Sequence, residues 1–323
     1  MKAIIHHAYG SPHKVLRLQD VCTPAIGEHD VLVEVHASAI AGHDASLVRG
    51  EPHLARLVTG LRTPARRVPG RDVAGRVLAV GAAVTELGAD DEVFGWCDGA
   101  FAEHVAVPAV RLSHKPSCLT FAQAAVVPVA GSLALRAVRD AGRVRTGQRV
   151  LVIGASGGVG TFAVQIATAF GATVTGVCST ANVQLVRSIG ADDVVDYTLH
   201  DIADSDARYD VVIDLVGHRS VTCLRRLATR NGTVVLVRGA GWSRSNTAAR
   251  RVVVARLLAP FAVQRVICVQ PAERRSDLGA LADLIRAGVL TPVVSAHFTL
   301  AEVAAAMRHF APGHSRGTVA ITV

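Results

Sequence analysis

Up to about residue 115 the apolar positions fall in short alternating or β-branched runs. AIIHHA (3–8), LRLQDV (16–21), DVLVEVHASAI (30–40) and AGRVLAVG (74–81) are separated by turn-prone clusters such as Tyr9-Gly10-Ser11-Pro12. Such runs predict a small antiparallel barrel or folded sheet. From Thr120 the period changes. FAQAAVVPVAGSLALRAVRDAG (121–142) is Ala-rich and helically spaced, and after it strands alternate with helices. The strands are expected at 149–155, 172–178, 193–197, 209–217, 232–239 and 263–269, with helices over 161–171 and 181–190 between the earlier ones. Fully apolar strands joined by helices predict a parallel sheet covered on both faces. The tail reads as a helix (277–290), a second helix (297–310) and a final strand (317–323) that returns to the N-terminal sheet. The expected fold class is therefore α/β. A doubly wound parallel-sheet domain over 125–269 is set into a discontinuous β-domain over 1–124 and 270–323.

Leu151-Val152-Ile153-Gly154-Ala155-Ser156-Gly157-Gly158-Val159-Gly160 runs from an apolar strand through glycines into a helix. Small residues let the backbone approach a pyrophosphate, and a helix N-terminus offers N–H groups and positive potential. With strand before and helix after, the loop points to a dinucleotide. The second strand ends Cys178-Ser179-Thr180. An NAD site usually carries Asp or Glu there for the ribose 2′-hydroxyl. Two hydroxyls with no carboxylate favour NADPH, although Ser179 also suits the cap of the helix that follows.

Composition narrows the class. The chain of 323 residues is long enough for two cores, and with 50% hydrophobic and 19% charged residues it is not a disordered polymer. No apolar run reaches the roughly 18–20 residues of a membrane span, and no signal-like core opens the chain. The six cysteines are scattered without CxxC spacing, which suits reduced thiols in a cytoplasmic protein. The net charge is +8, and twelve arginines against the one acid Glu273 lie between Arg219 and Arg275. That stretch is either a solvated face or a phosphate-tolerant, partner-facing one. It has no aromatic interleaving, so nucleic acid is not expected as a partner, and neither is a membrane.

The segments GASGGVGTFAVQIA, CSTANVQLVRSIGADDVVDY and YDVVIDLVG resemble the medium-chain dehydrogenase/reductase superfamily. PGRDVAGRVLAVGAAV (69–84), DDEVFGWCDGAFAEHVAVP (90–108) and the closing TPVVSAHFTLAEVAAAM and RGTVAITV are similar to its zinc-independent quinone-oxidoreductase branch, so the resemblance spans the chain. It implies a GroES-like β-barrel domain for substrate, a Rossmann domain, a cleft between them and a homodimer. It also implies no metal. Zinc-dependent relatives carry Cys where this chain has Ala41 and Gly-His-Glu where it has Gly70-Arg71-Asp72, and only Cys97 falls where their four-cysteine lobe would lie.

Carried over residue by residue, the resemblance implies pyrophosphate contacts from Ser156, Gly157, Gly158 and Val159. It puts Ser179, Thr180 and Tyr197 at the adenosine and 2′-phosphate end. Val216, Gly217, Val237, Arg238 and Gly239 should line the cofactor groove. The basic residue that often follows the Ser-Thr pair is absent, which leaves Arg187 or Arg316 to replace it. Two departures touch the reaction centre. The branch's Asn beside the nicotinamide is Ala41, within Ile40-Ala41-Gly42-His43-Asp44, and the Thr that borders the ring is Leu133, next to Ser132. His43 is the candidate proton donor. Asp44 is a candidate of the same site or a cap of the following turn, and Tyr9 is a candidate acid or stacking group. The expected reaction is hydride transfer from NADPH to a quinone or an α,β-unsaturated carbonyl on a small molecule, free or carrier-bound. The alternative is an NADPH-binding member repurposed for a non-redox step, which Ala41 and Leu133 suggest.

Overall fold

The computed structural model of the chain describes residues 1–42, 44–51, 53, 56–237, 264–310 and 316–323. Its N-terminal part is built of β1 (Lys2–His6), β2 (Leu16–Asp20), β3 (Asp30–Ile40), β4 (Asp72–Val80), β5 (Glu92–Trp96), β6 (His104–Pro108) and β7 (Leu112–His114), with helix α1 (Asp44–Arg49) after β3. β1 and β2 form an antiparallel pair. The long strand β3 alternates half-buried and buried positions to Ala37 and is then buried at every position to Ile40. Its outer half packs one face; its inner half runs beneath the rest of the molecule. Two register shifts bend it against β4. At the crossing, a Cβ on Gly75 would lie 1.9 Å from the Glu34 carbonyl oxygen, so only glycine allows the strands to meet there.

The second half alternates as the periodicity requires. Helices α2 (Phe121–Ala125) and α3 (Pro128–Leu135) lead into β8 (Arg149–Ile153), α4 (Gly158–Ala169), β9 (Thr173–Cys178), α5 (Val183–Ser188), β10 (Asp193–Asp196), β11 (Tyr209–Asp214), α6 (Val221–Leu227), β12 (Ala228–Val237) and β13 (Arg265–Val269). The strands form a parallel sheet in the order β10-β9-β8-β11-β12-β13. Successive residues of one strand point to opposite faces. Val150, Val152, Ile213 and Val235 accordingly pack under α3 and α4. Leu151, Ile153, Val212 and Val234 pack under α6. Each such fully buried aliphatic side chain contributes about 1.5–3 kcal/mol.

The chain closes with α7 (Arg275–Arg286), β14 (Val294–Thr299), α8 (Val303–His309) and β15 (Thr318–Thr322). β15 pairs antiparallel with β3 and parallel with β14, so the C-terminus completes a seven-stranded N-terminal sheet. Two expected helices differ from those observed. The 121–142 stretch is broken: Thr120 and Gln123 form a capping box that opens α2, Pro128 restarts the helix as α3, and a π-helical turn over Arg136–Gly142 ends it. Residues 297–299 belong to β14, because exposure alternates along Val294–Thr299 and the Thr299–Glu302 capping box delays the helix. Among the described residues no helix is long and apolar enough to cross a membrane.

Candidate active site

The glycine loop sits at the C-terminal ends of β8, β9 and β11. Strand order reverses between β8 and β11, and in such sheets ligands bind in the crevice at that switch. Gly154 turns the chain at φ +88°, and the N–H groups of Gly154 and Ala155 donate to the Val177 carbonyl at 3.1 and 3.0 Å. A Cβ on Gly160 would lie 2.1 Å from the Gly154 carbonyl oxygen, and one on Gly158 would lie 2.5 Å from Thr318 Oγ1. The loop is therefore closed on itself and backed by the C-terminal strand. Gly317 N–H donates to the Ser156 carbonyl at 2.7 Å, which places exposed Arg316 beside the loop. Helix α4 has Gly157 at its N-cap position and so no side-chain cap. Its first-turn N–H groups at Gly158 and Val159 have the chemistry a pyrophosphate needs, and the glycines keep that approach free of side chains. Val216 closes over the loop: a Cβ on Gly154 would come within 2.7 Å of Val216 Cγ2. The buried Asp214 carboxylate holds this corner by accepting from the Val216 and Gly217 N–H groups, each at 3.1 Å.

At the ends of β9 and β10 the structure brings Ser179, Thr180 and Tyr197 together. Ser179 Oγ accepts from Asn182 at 3.1 Å, and Tyr197, about half exposed, donates its N–H to the Cys178 carbonyl at 3.0 Å. Thr180 Oγ1 lies 2.7 Å from Thr198 Oγ1, which donates to Asp196 at 2.7 Å. Hydrogen bonds from the Thr180 and Thr198 hydroxyls hold the Asp196 carboxyl below its ordinary range. Reading β9 alone finds no carboxylate here. Sheet register supplies one from the neighbouring strand, because Asp196 pairs with Cys178. The only signal in the chain is the Asp before Tyr197. Burial pushes the Cys178 thiol up to about 11, so it stays neutral.

The candidates of the expected reaction centre lie at the end of β3 and on α1 and α3. Ala41, half-buried, donates its N–H to the Asp44 carboxylate at 2.7 Å, and Asp44 returns its own N–H to the Ala41 carbonyl at 3.0 Å. Asp44 thus caps the turn that starts α1. The Tyr9 hydroxyl lies within 2.8–3.0 Å of the Thr59 and Gly60 carbonyls and the Thr59 hydroxyl, with Arg56 stacked 4.6 Å over its ring. These contacts tie it to the 56–60 turn. Leu133 is buried in the core cluster, and Ser132, 3% exposed, carries a hydroxyl with no hydrogen-bond partner among the described residues. Val237 ends β12 and is buried. His43, Arg238 and Gly239 lie outside the described residues. Among the described residues no three His, Cys, Asp or Glu side chains group as metal ligands.

Two family models match, the alcohol dehydrogenase GroES-like domain over residues 27–117 and the zinc-binding dehydrogenase domain over residues 189–321. The chain is 32% identical to a mitochondrial NAD(P)H oxidoreductase of Mus musculus, over 100% of its own length and 89% of that protein's. It belongs to the medium-chain dehydrogenase/reductase superfamily. Within that superfamily it is quinone-oxidoreductase-like. It is 38% identical to a chloroplastic NADPH-dependent alkenal/one oxidoreductase of Arabidopsis thaliana, over 67% of this chain and 58% of that one. It superposes on the quinone oxidoreductase of Coxiella burnetii with a TM-score of 0.87 and 29% identity, covering 100% and 99% of the two chains. The seven-stranded and six-stranded sheets of this quinone-oxidoreductase-like chain accordingly belong to the superfamily's GroES-like and Rossmann units.

Proposed function

We propose that the chain is an NADPH-dependent reductase that transfers hydride to a quinone or an α,β-unsaturated carbonyl without a metal ion. The observation that carries this reading is the closed glycine loop at the strand switch, with a helix N-terminus beneath it whose N–H groups no side chain caps. Bound NADPH supplies the hydride. The backbone N–H groups after Ser156 hold the pyrophosphate, Val216 and Gly217 line the groove, and Ser179, Thr180 and Tyr197 meet the adenosine end. Arg316 beside the loop, or the exposed Arg187 on α5, is the cation proposed for the 2′-phosphate. A conjugated carbonyl spreads its developing charge over the enolate, so positioning rather than a Lewis acid does most of the work. His43 or water delivers the proton. The relatives named as NAD(P)H and alkenal/one oxidoreductases support this chemistry. All six cysteines are free thiols, which supports a reducing compartment such as the cytoplasm. We take the enzyme to be a homodimer joined through its Rossmann sheets.

The test is nicotinamide oxidation, followed by absorbance, with a panel of enones and quinones in the presence of EDTA. Turnover that survives the chelator and prefers NADPH to NADH is the expected result. Tight NADPH binding without oxidation by any acceptor would support the second reading, a site repurposed for a non-redox step. The apolar Ala41 and Leu133 are what favour that alternative.

A further inference from the structure

One buried carboxyl joins the two halves of the site. Asp72 opens β4, is 3% exposed, and accepts from the Val129 N–H at 2.8 Å. Val129 is the second residue of α3, a helix whose own N-cap position, Val127, offers no side-chain acceptor. Asp72 thus supplies, from 57 residues away, the cap that the local chain omits. Its backbone is held in turn by the Ser38 hydroxyl, which donates to the Asp72 carbonyl at 2.6 Å. One helical turn beyond Val129 stands Ser132, whose buried hydroxyl has no hydrogen-bond partner among the described residues, and then Leu133.

The groups facing the carboxyl come from three directions: Asp44 from the start of α1, Arg71 from its own chain neighbour, and the Cys97 thiol just past β5. Arg71 pairs with Glu273, which Arg111 also holds at 3.0 Å. Burial, with Asp44 adding to it, holds the Asp72 carboxyl well above its ordinary range despite the Val129 bond and Arg71. In either protonation state the carboxyl has a lone pair for Val129, as an amide oxygen would.

We propose that Asp72 is a positioning residue for the reaction: it pins the N-terminus of α3 to the sheet that ends in Ala41, and so sets where Ser132 and Leu133 stand. This rests on the reductase reading for what those residues do, but the cap itself is testable without turnover. Asp72→Asn keeps an acceptor, whereas Asp72→Ala and Asp72→Leu remove it. Amide hydrogen exchange over 127–135 of the NADPH-free protein should match wild type in Asp72→Asn. It should rise roughly tenfold in the other two, while segments distant from α3 stay unchanged. With an enone acceptor, Asp72→Asn should keep kcat within about threefold. The uncapped variants should lose roughly ten- to a hundredfold, with a smaller change in KM for NADPH, as a misplaced wall of the site predicts. Should Asp72→Ala fail to fold, Asp72→Leu, which fills the same space, carries the comparison. Unchanged exchange in both uncapped variants overturns the proposal. So does a collapse of kcat in Asp72→Asn with exchange intact, since that result would make Asp72 a proton donor. A wild-type protein inert towards every acceptor would end the reductase reading, and exchange alone would then decide the cap.

Discussion

Gly160→Ala is the sharpest probe of the cofactor loop. Its added Cβ would lie 2.1 Å from the Gly154 carbonyl oxygen and 2.8 Å from the carbonyl carbon and oxygen of Ala155. Both neighbours are backbone, so no side chain can swing aside, and the loop must open by about an ångström to reach van der Waals distance. Overpacking of this kind costs about 1–3 kcal/mol, and the better helix propensity of alanine returns up to ~1 kcal/mol. The net expectation is a loss of about 1–2 kcal/mol in stability. The displaced backbone is the segment whose N–H groups face the pyrophosphate, so NADPH affinity should fall roughly 10- to 100-fold, at ~1.4 kcal/mol per decade. The assay is titration by nicotinamide fluorescence, with thermal unfolding measured on the same samples. Gly279→Ala is the control: it lies within α7, its Cβ would meet nothing within 4 Å, and it should gain up to ~1 kcal/mol of stability with NADPH binding unchanged. If Gly160→Ala binds NADPH within about twofold of wild type, the loop does not grip the pyrophosphate in the manner argued.

Other outcomes follow from single observations. Asp196 holds a carboxylate beside Thr180, so Asp196→Asn should tilt the ratio of NADPH to NADH affinity towards NADPH by roughly three- to tenfold at low salt; a ratio that stays put would remove Asp196 from the 2′-phosphate neighbourhood. His6 is 4% exposed, and burial holds its ring below 6.5 even though Nε2 lies 2.9 Å from the Arg66 carbonyl. The unfolded chain takes up a proton below pH 6.5 that the folded one resists. The stability tied to the neutral ring is therefore complete above pH 6.5 and is lost as pH falls through the window below it. His6→Gln should flatten melting temperature against pH in that window, and an unchanged slope would refute the assignment. Asp277 is fully buried and accepts from Arg139 at 2.7 Å, so Arg139→Met should cost about 3 kcal/mol in chemical denaturation near neutral pH. A loss below about 1 kcal/mol would mean that the pair contributes no more than an exposed one.

Residues 297–299 show where periodicity stops being decisive. Their apolar spacing continues the helix that follows, yet they lie in β14, because pairing with β15 and the Thr299–Glu302 cap outweigh local preference. The same limit applies at the site. Nothing near Asp72 in the chain marks it as the cap of α3, nothing near Ser179 announces Asp196, and the Tyr9 hydroxyl reads as free until the 56–60 turn closes on it.

By itself the chain determined the parallel sheet, the β-strands before it and the glycine loop. Those features rest on local rules: side-chain period along an element, and the space that only glycine leaves for a neighbouring backbone. Tertiary structure alone decided that Gly317 backs the loop at Ser156, that a carboxylate sits beside Thr180, and that a carboxyl of one sheet caps the helix bordering the other. These contacts join residues far apart in sequence. Strand register and packing choose such partners, and neither leaves a mark on the residues that will meet.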